Sequence, residues 1–348
     1  MARFRLSPFT GRGQGEGLGS LAPDADDASE SVDFIGRAEN TPGPSPQPSP
    51  RKRGEGARVR TIRSFRHLAI DFDGTRLPDD LDFIDIQNPA GGAWRIARRL
   101  RPATAEGANA PGLVWLGGFA SDMDGTKASF LDEWARARGR AYLRFDYSGH
   151  GRSEGRFEDG SIGDWLEQSA AVFERSTQGP QIVLGSSMGG WIALLLARRL
   201  AAKGESARLA GLILLAPAVD FTEALMWERF DEATRRDLME KGVLPAKEPD
   251  HGPVTRRLIE EGRNHLLLGG LIRAHARVHI LQGMRDDAVP WRHALTIVEH
   301  LNADPVTLTF IADGDHRLSR PEDLAQLAAA VEMMSAPPPG EPPPTRFD

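Results

Sequence analysis

At 348 residues, 40% of them hydrophobic and 26% charged, the chain has the composition of an ordinary globular protein, long enough for one large domain or two small ones. A formal net charge of −6 excludes the basic face that general nucleic-acid binding requires. Lack of cysteine excludes disulfides, thiolate metal sites and a cysteine nucleophile, and the longest apolar run, eleven residues from Leu209 to Val219, is too short for stable membrane insertion.

Residues 1–60 are Gly-rich, then Asp/Ser-rich, with five prolines between Pro42 and Pro50, and carry too little apolar surface to offset the entropy of ordering them. They read as a disordered N-terminal extension. The expected location is a bacterial cytoplasm, or a mitochondrial matrix if the three arginines of the first 13 residues belong to a transit peptide. The acids from Glu16 to Glu30 argue against the latter. A single domain is expected over 62–335, followed by a Pro-rich disordered tail over 336–348 with six prolines.

Within that domain, alternating stretches and turn signals over 66–100 predict antiparallel strands at the leading edge of a sheet. Leu113–Leu116 is a short apolar run ended by Gly117-Gly118, the signature of a buried strand. A helix is predicted over 127–138, a strand over 141–145, a helix over 162–173, a strand over 181–184, a helix over 191–200 and a strand over 212–215. After an interruption come a strand over 278–282, a helix over 291–301, a strand over 306–311 and a helix over 321–333. Repeated strand-then-helix order implies a mostly parallel α/β sheet covered on both faces. The interruption, about 220–275, exceeds a simple connection. Its apolar residues include Met226 and Trp227, and it reads as a helical cap inserted over the carboxyl edge of the sheet; the alternative is a helix pair packed beside the sheet.

Gly185-Ser186-Ser187-Met188-Gly189 fits G-x-S-x-G between a predicted strand and a predicted helix. A sharp turn there lifts Ser187 above the sheet, and the helix N-terminus offers N–H groups and a favourable field to a developing oxyanion. A serine hydroxyl is a weak nucleophile until a base takes its proton. Partners in the order serine, acid, histidine lie downstream: Asp286 or its neighbour Asp287 in the loop after strand 278–282, and His316 between the last strand and the last helix. The second oxyanion donor beside the Met188 N–H is expected from the loop after strand 113–116, with Phe119 N–H preferred and Gly118 as alternative. His265, with Met226 and Trp227, is a candidate for the substrate pocket. His275 and His279 have the i,i+4 spacing of a metal pair, but their segment turns into a strand and lacks the accompanying glutamate. His150, in a Gly-rich turn, is read as tuning that loop.

The stretches LGGFASDMDGTKA (116–128), RFDYSGHGRSEG (144–155), GSSMGGW (185–191), GMRDDAVPW (283–291) and GDHRLS (314–319) resemble the α/β-hydrolase superfamily. More closely, they are similar to the abhydrolase-domain palmitoyl-protein thioesterases of mitochondria, also described as acyl-glucuronide esterases, and their bacterial homologues. The resemblance covers roughly 113–333. It implies the α/β-hydrolase fold and a triad of Ser187, Asp286 and His316, with Asp286 favoured by its offset from Gly283 and Val289-Pro290. It also implies cofactor-free hydrolysis of carboxylic esters or thioesters, the substrate being a small-molecule ester, an acyl thioester or an S-acylated protein. Asp146 belongs to a structural turn in that superfamily.

Two other functions are weighed against this. Leu68–Thr75 ends an apolar run in D-x-D-G-T, where Asp71 and Asp73 would be nucleophile and acid of a Mg²⁺-dependent haloacid-dehalogenase-type phosphatase. That pattern also needs a downstream lysine and an acidic metal-binding loop, which Gly283 to Asp287 could imitate only by abandoning its place in the serine-hydrolase order, and Arg76 sits where an apolar residue is usual. A non-catalytic hydrolase-fold binding protein would be expected to lack a triad member, and all three are present.

Overall fold

The computed structural model describes residues 81–89, 91–246 and 252–336. The expected N-terminal extension, Asp71 and Asp73, and the Pro-rich tail from residue 337 lie outside them. Two antiparallel strands, β1 (Leu81–Gln87) and β2 (Ala93–Arg101), open the sheet. Then follow β3 (Gly112–Leu116), α1 (Thr126–Arg136), β4 (Tyr142–Phe145), α2 (Ile162–Ser176), β5 (Gln181–Ser186), α3 (Met188–Ala202) and β6 (Leu209–Leu215). The insertion holds α4 (Glu232–Lys241), a hairpin of β7 (Val243–Leu244) and β8 (Val254–Thr255), and α5 (Arg256–Gly262). The chain returns as β9 (Val278–Gly283), α6 (Trp291–His300), β10 (Val306–Ile311) and α7 (Pro321–Ser335).

The eight-stranded sheet runs β1-β2-β4-β3-β5-β6-β9-β10, antiparallel at β1/β2 and β2/β4 and parallel from β4 onward. Its central strands are buried on both sides, so alternate residues feed two separate cores. Val114, Leu116, Val183, Leu212, Leu214 and Ile280 pack with α2, α3 and α6. Leu113, Trp115, Ile182, Leu184, Ile213 and Leu281 pack with α1 and α7 on the other face. No helix among the described residues is long and apolar enough to cross a membrane.

The predicted elements reappear with shifted ends. Shifts of three residues occur at the end of α2, at the start of β6 and at the start of α3, which begins at Met188 rather than Trp191. Gly189 and Gly190 have low helix propensity and hide that first turn from a sequence reading. They are tolerated because neighbouring backbone leaves no space: a Cβ on Gly189 would lie 2.2 Å from the Leu116 carbonyl oxygen. The insertion is helical, as expected, and begins with a π-helical turn over Thr222–Met226. Side-chain caps set its helices, with Asp231 accepting from Thr234 N–H and Thr255 from Leu258 N–H. It reaches the carboxyl edge of the sheet, since a Cβ on Gly252 would lie 3.3 Å from the Ala120 Cβ in the loop after β3.

Candidate active site

Ser187 follows the last residue of β5 and caps α3 at φ +53°, a left-handed conformation that costs a non-glycine residue about 1–2 kcal/mol. The fold over-determines it. Ser187 N–H donates to Leu215 O at 2.8 Å, and Ser187 O accepts from Gly190 N–H at 2.9 Å and Ala218 N–H at 3.0 Å. A Cβ on Gly185 would lie 2.3 Å from Gly189 O, so the turn closes only with glycine on the strand side.

The hydroxyl donates to His316 Nε2 at 3.1 Å, and His316 Nδ1–H donates to Asp286 Oδ2 at 2.8 Å. The Asp286 side chain is fully buried while the imidazole is one-third exposed, facing the nucleophile. Three further donors hold the carboxylate: Ala288 and Val289 N–H on Oδ1 at 3.0 and 2.7 Å, and Gln282 Nε2 on Oδ2 at 3.2 Å. Gln282 is itself completely buried on β9 and also donates to Gly283 O and Val289 O, so only one orientation of its amide fits. Its Oε1 has no partner among the described residues. Asp287 is exposed, which leaves the buried position to Asp286. Lys127, at the start of α1, donates to Arg317 O and reaches Ser319 Oγ at 3.5 Å, bracing the loop that carries His316. Burial lowers its pKa to about 8, against opposing attraction from Asp315 and Asp323.

The loop after β3 lies against Ser187: a Cβ on Gly118 would be 3.4 Å from the Ser187 Cβ. Gly118 N–H is already used, donating to Ser121 Oγ at 2.8 Å, while Ser121 Oγ donates back to Gly118 O at 3.0 Å. The Tyr147 hydroxyl donates to Gly117 O at 3.3 Å. Ala120 N–H donates to His150 Nε2, also at 3.3 Å. Among the described residues, Phe119 N–H is left without an acceptor in this loop. Of the two sequence candidates in this loop, Phe119 N–H is therefore the one free to meet a ligand, and Met188 N–H lies in the first turn of α3, where helix geometry offers no intrahelical acceptor.

The candidate pocket residues of the insertion have contacts of their own. Trp227 is flanked by the guanidinium groups of Arg235 and Arg263, 5.3 and 4.8 Å from its ring. His265 pairs with Glu261 at 2.5 Å, and Met226 packs against the core that includes α2 and α3. None of these contacts is with Ser187, Asp286 or His316. The rings grouped around Phe119 in the loop after β3 are Phe157, Phe221 and Trp165, with centroids 4.8, 5.6 and 6.1 Å from it, and Trp191 lies behind Phe221 at 5.7 Å. They come from four separate segments, which is why no local pattern announced them.

The remaining candidates have structural partners. Asp146 is buried and accepts from Met123 N–H at 2.6 Å and Arg152 N–H at 2.8 Å, which ties two loops together. His279 bonds Thr309 within the sheet, while His275 is an exposed loop residue at φ +51°. They share no helical face, and no group of three or more metal-binding side chains occurs among the described residues.

A family model described as serine aminopeptidase, S33, matches residues 113–286, which include Ser187 and Asp286. Mitochondrial palmitoyl-protein thioesterase ABHD10 is 31% identical over 226 residues in both Bos taurus and Homo sapiens, covering 64% of this chain and 72% of the relative. A crystal structure of a putative hydrolase from Agrobacterium vitis S4 is 42% identical with a TM-score of 0.69, covering 74% of this chain and 99% of its own. The structure of ABHD10 from mouse is 26% identical with a TM-score of 0.63, covering 73% and 97%. The chain belongs to the serine aminopeptidase S33 family of α/β hydrolases and, within that superfamily, resembles ABHD10.

Proposed function

We propose that the chain is a serine hydrolase that cleaves carboxylic esters or thioesters by acyl transfer through Ser187. The observation that carries this reading is the unbroken hydrogen-bond chain Ser187–His316–Asp286, with a backbone N–H at Phe119 that has no acceptor among the described residues in the neighbouring loop. His316 takes the hydroxyl proton as Ser187 Oγ bonds to the carbonyl carbon. Asp286 keeps the imidazole in the tautomer with its proton on Nδ1 and stabilises the cation, while the Phe119 and Met188 N–H groups receive the oxyanion. Collapse of the tetrahedral adduct breaks the bond to the leaving alcohol or thiol, which takes the proton from His316. Water then loses a proton to the same histidine, attacks the acyl-serine and releases the acid. No cofactor enters these steps.

The aromatic wall of Phe119, Phe157, Phe221 and Trp191 favours an acyl group with a sizeable apolar part. The curated relatives carry the name palmitoyl-protein thioesterase, so S-acylated peptides belong in the substrate panel with p-nitrophenyl esters, acyl-CoAs and an acyl glucuronide. The decisive experiment is labelling with a fluorophosphonate. Wild type is expected to become covalently modified and S187A to remain unmodified; an unlabelled wild type would return the chain to the non-catalytic reading.

A further inference from the structure

We propose that His150 is a positioning residue for catalysis, holding the Phe119 N–H in place by accepting the neighbouring Ala120 N–H; this rests on the serine-hydrolase reading above. Three successive peptide groups set the direction of that donor. The first is pinned by Tyr147 on Gly117 O and by Ser121 on Gly118 N–H. The second is pinned through Gly118 O, which accepts from Ser121 Oγ and from Ser121 N–H at 3.2 Å, leaving Phe119 N–H as its open end. Among the described residues, the third is pinned only by the bond from Ala120 N–H to His150 Nε2 at 3.3 Å.

That last bond does the least favourable work. Ala120 sits at φ +57°, a conformation a non-glycine residue adopts at a cost of about 1–2 kcal/mol, so the loop relaxes when its hold is lost. His150 suits the task because its state is fixed from both sides. Nδ1 lies 3.2 Å from Ser148 O, which cannot donate, so the ring proton is on Nδ1 and Nε2 is a bare acceptor. The ring is 4% exposed and packed among Tyr147, Phe157 and Trp165, at centroid distances of 5.5, 4.8 and 5.1 Å. Burial lowers its pKa to about 4, against the opposing bond to Ser148 O, so the acceptor persists at neutral pH. Phe157 and Trp165 also touch the Phe119 ring, so one aromatic group steadies both the side chain and the backbone of the oxyanion residue.

Two measurements test this. In steady-state hydrolysis of a p-nitrophenyl ester, H150F keeps the ring and removes the acceptor, and is expected to lower kcat by about 10- to 100-fold with KM within about twofold. H150Q places an amide oxygen near the Nε2 position and is expected to recover most of that loss. In wild type, the imidazole ¹⁵N shifts of His150 at neutral pH are expected to show a protonated Nδ1 and a bare Nε2, which does not depend on any variant folding. A folded H150F with wild-type kcat, a change confined to KM, or the opposite tautomer would each overturn the assignment of His150 alone. A wild type that neither hydrolyses the ester nor reacts with the fluorophosphonate overturns the hydrolase reading and this role with it.

Discussion

Adjacent carboxylates in one loop have opposite environments. Asp286 is buried under four hydrogen bonds, one of them from His316, whereas Asp287 is exposed. An amide at 286 still accepts from the loop but no longer supports an imidazolium, and it admits the wrong histidine tautomer. D286N is therefore expected to lower kcat by on the order of 10³- to 10⁴-fold. D287N is expected to stay within about twofold of wild type, and ester turnover by the purified variants measures both. Equal losses in the two would show that the buried carboxylate does not orient His316. Gln282 belongs to the same scale: its amide, on β9 four residues before Asp286, helps to set the plane of that carboxylate.

At the scale of elements, the insertion is an excursion that must begin and end at the same place on the sheet. Asp220 closes it. Its carboxylate, at the start of the insertion, accepts from Leu267 N–H and Leu268 N–H near the end, at 2.9 and 2.7 Å. Burial raises its pKa against the pull of these bonds, and the residue adopts φ +55° to reach them. A second tie joins the nucleophile helix to the same segment, with Trp191 Nε1 donating to His265 O at 3.1 Å. Removing the carboxylate leaves both amide donors without their acceptor, each costing about 1–3 kcal/mol. D220A is expected to lose roughly 2–4 kcal/mol in urea unfolding, with D220N losing less. A D220A variant as stable as wild type would show that the insertion is held by its apolar contacts alone. This clasp has no local signature, because its partners are 47 and 48 residues apart.

For the whole molecule, two buried groups on one turn oppose each other in acid. His150 keeps a pKa of about 4, below its ordinary 6.5, so between those values the unfolded chain binds the extra proton and stability falls as pH falls. Burial raises Asp146 to about 6 despite its two N–H donors, above its ordinary 3.8. Between those values the native state binds the extra proton, so this contribution to stability grows as pH falls. The two slopes nearly cancel from pH 6 to 4. D146N removes the second, so the stability advantage of wild type over D146N is expected to grow by roughly 1.4 kcal/mol per pH unit on going from pH 6 to 4. Denaturant unfolding at several pH values measures the difference, and a pH-independent gap would show that Asp146 is ionised throughout the window.

What the amino-acid sequence determined by itself was the layout of the fold and the candidate residues that sit at the ends of strands. Apolar runs, glycine turns and their order along the chain are local properties, so the alternation of strand and helix was legible there, as was the placing of Ser187 and His316 at strand ends; the choice of Asp286 came from family resemblance, and the structure joins the three side chains in one hydrogen-bond chain. Tertiary structure alone decided the supporting contacts. The amide of Gln282 on Asp286, the acceptor of His150 under Ala120, the clasp of Asp220 and the aromatic group around Phe119 join residues distant in sequence or facing one another only once the strands are stacked. The same limit applies to Met226, Trp227 and His265 as pocket candidates. Their apolar or aromatic character is a property of the sequence, but the direction in which each points is set by the packing of the insertion.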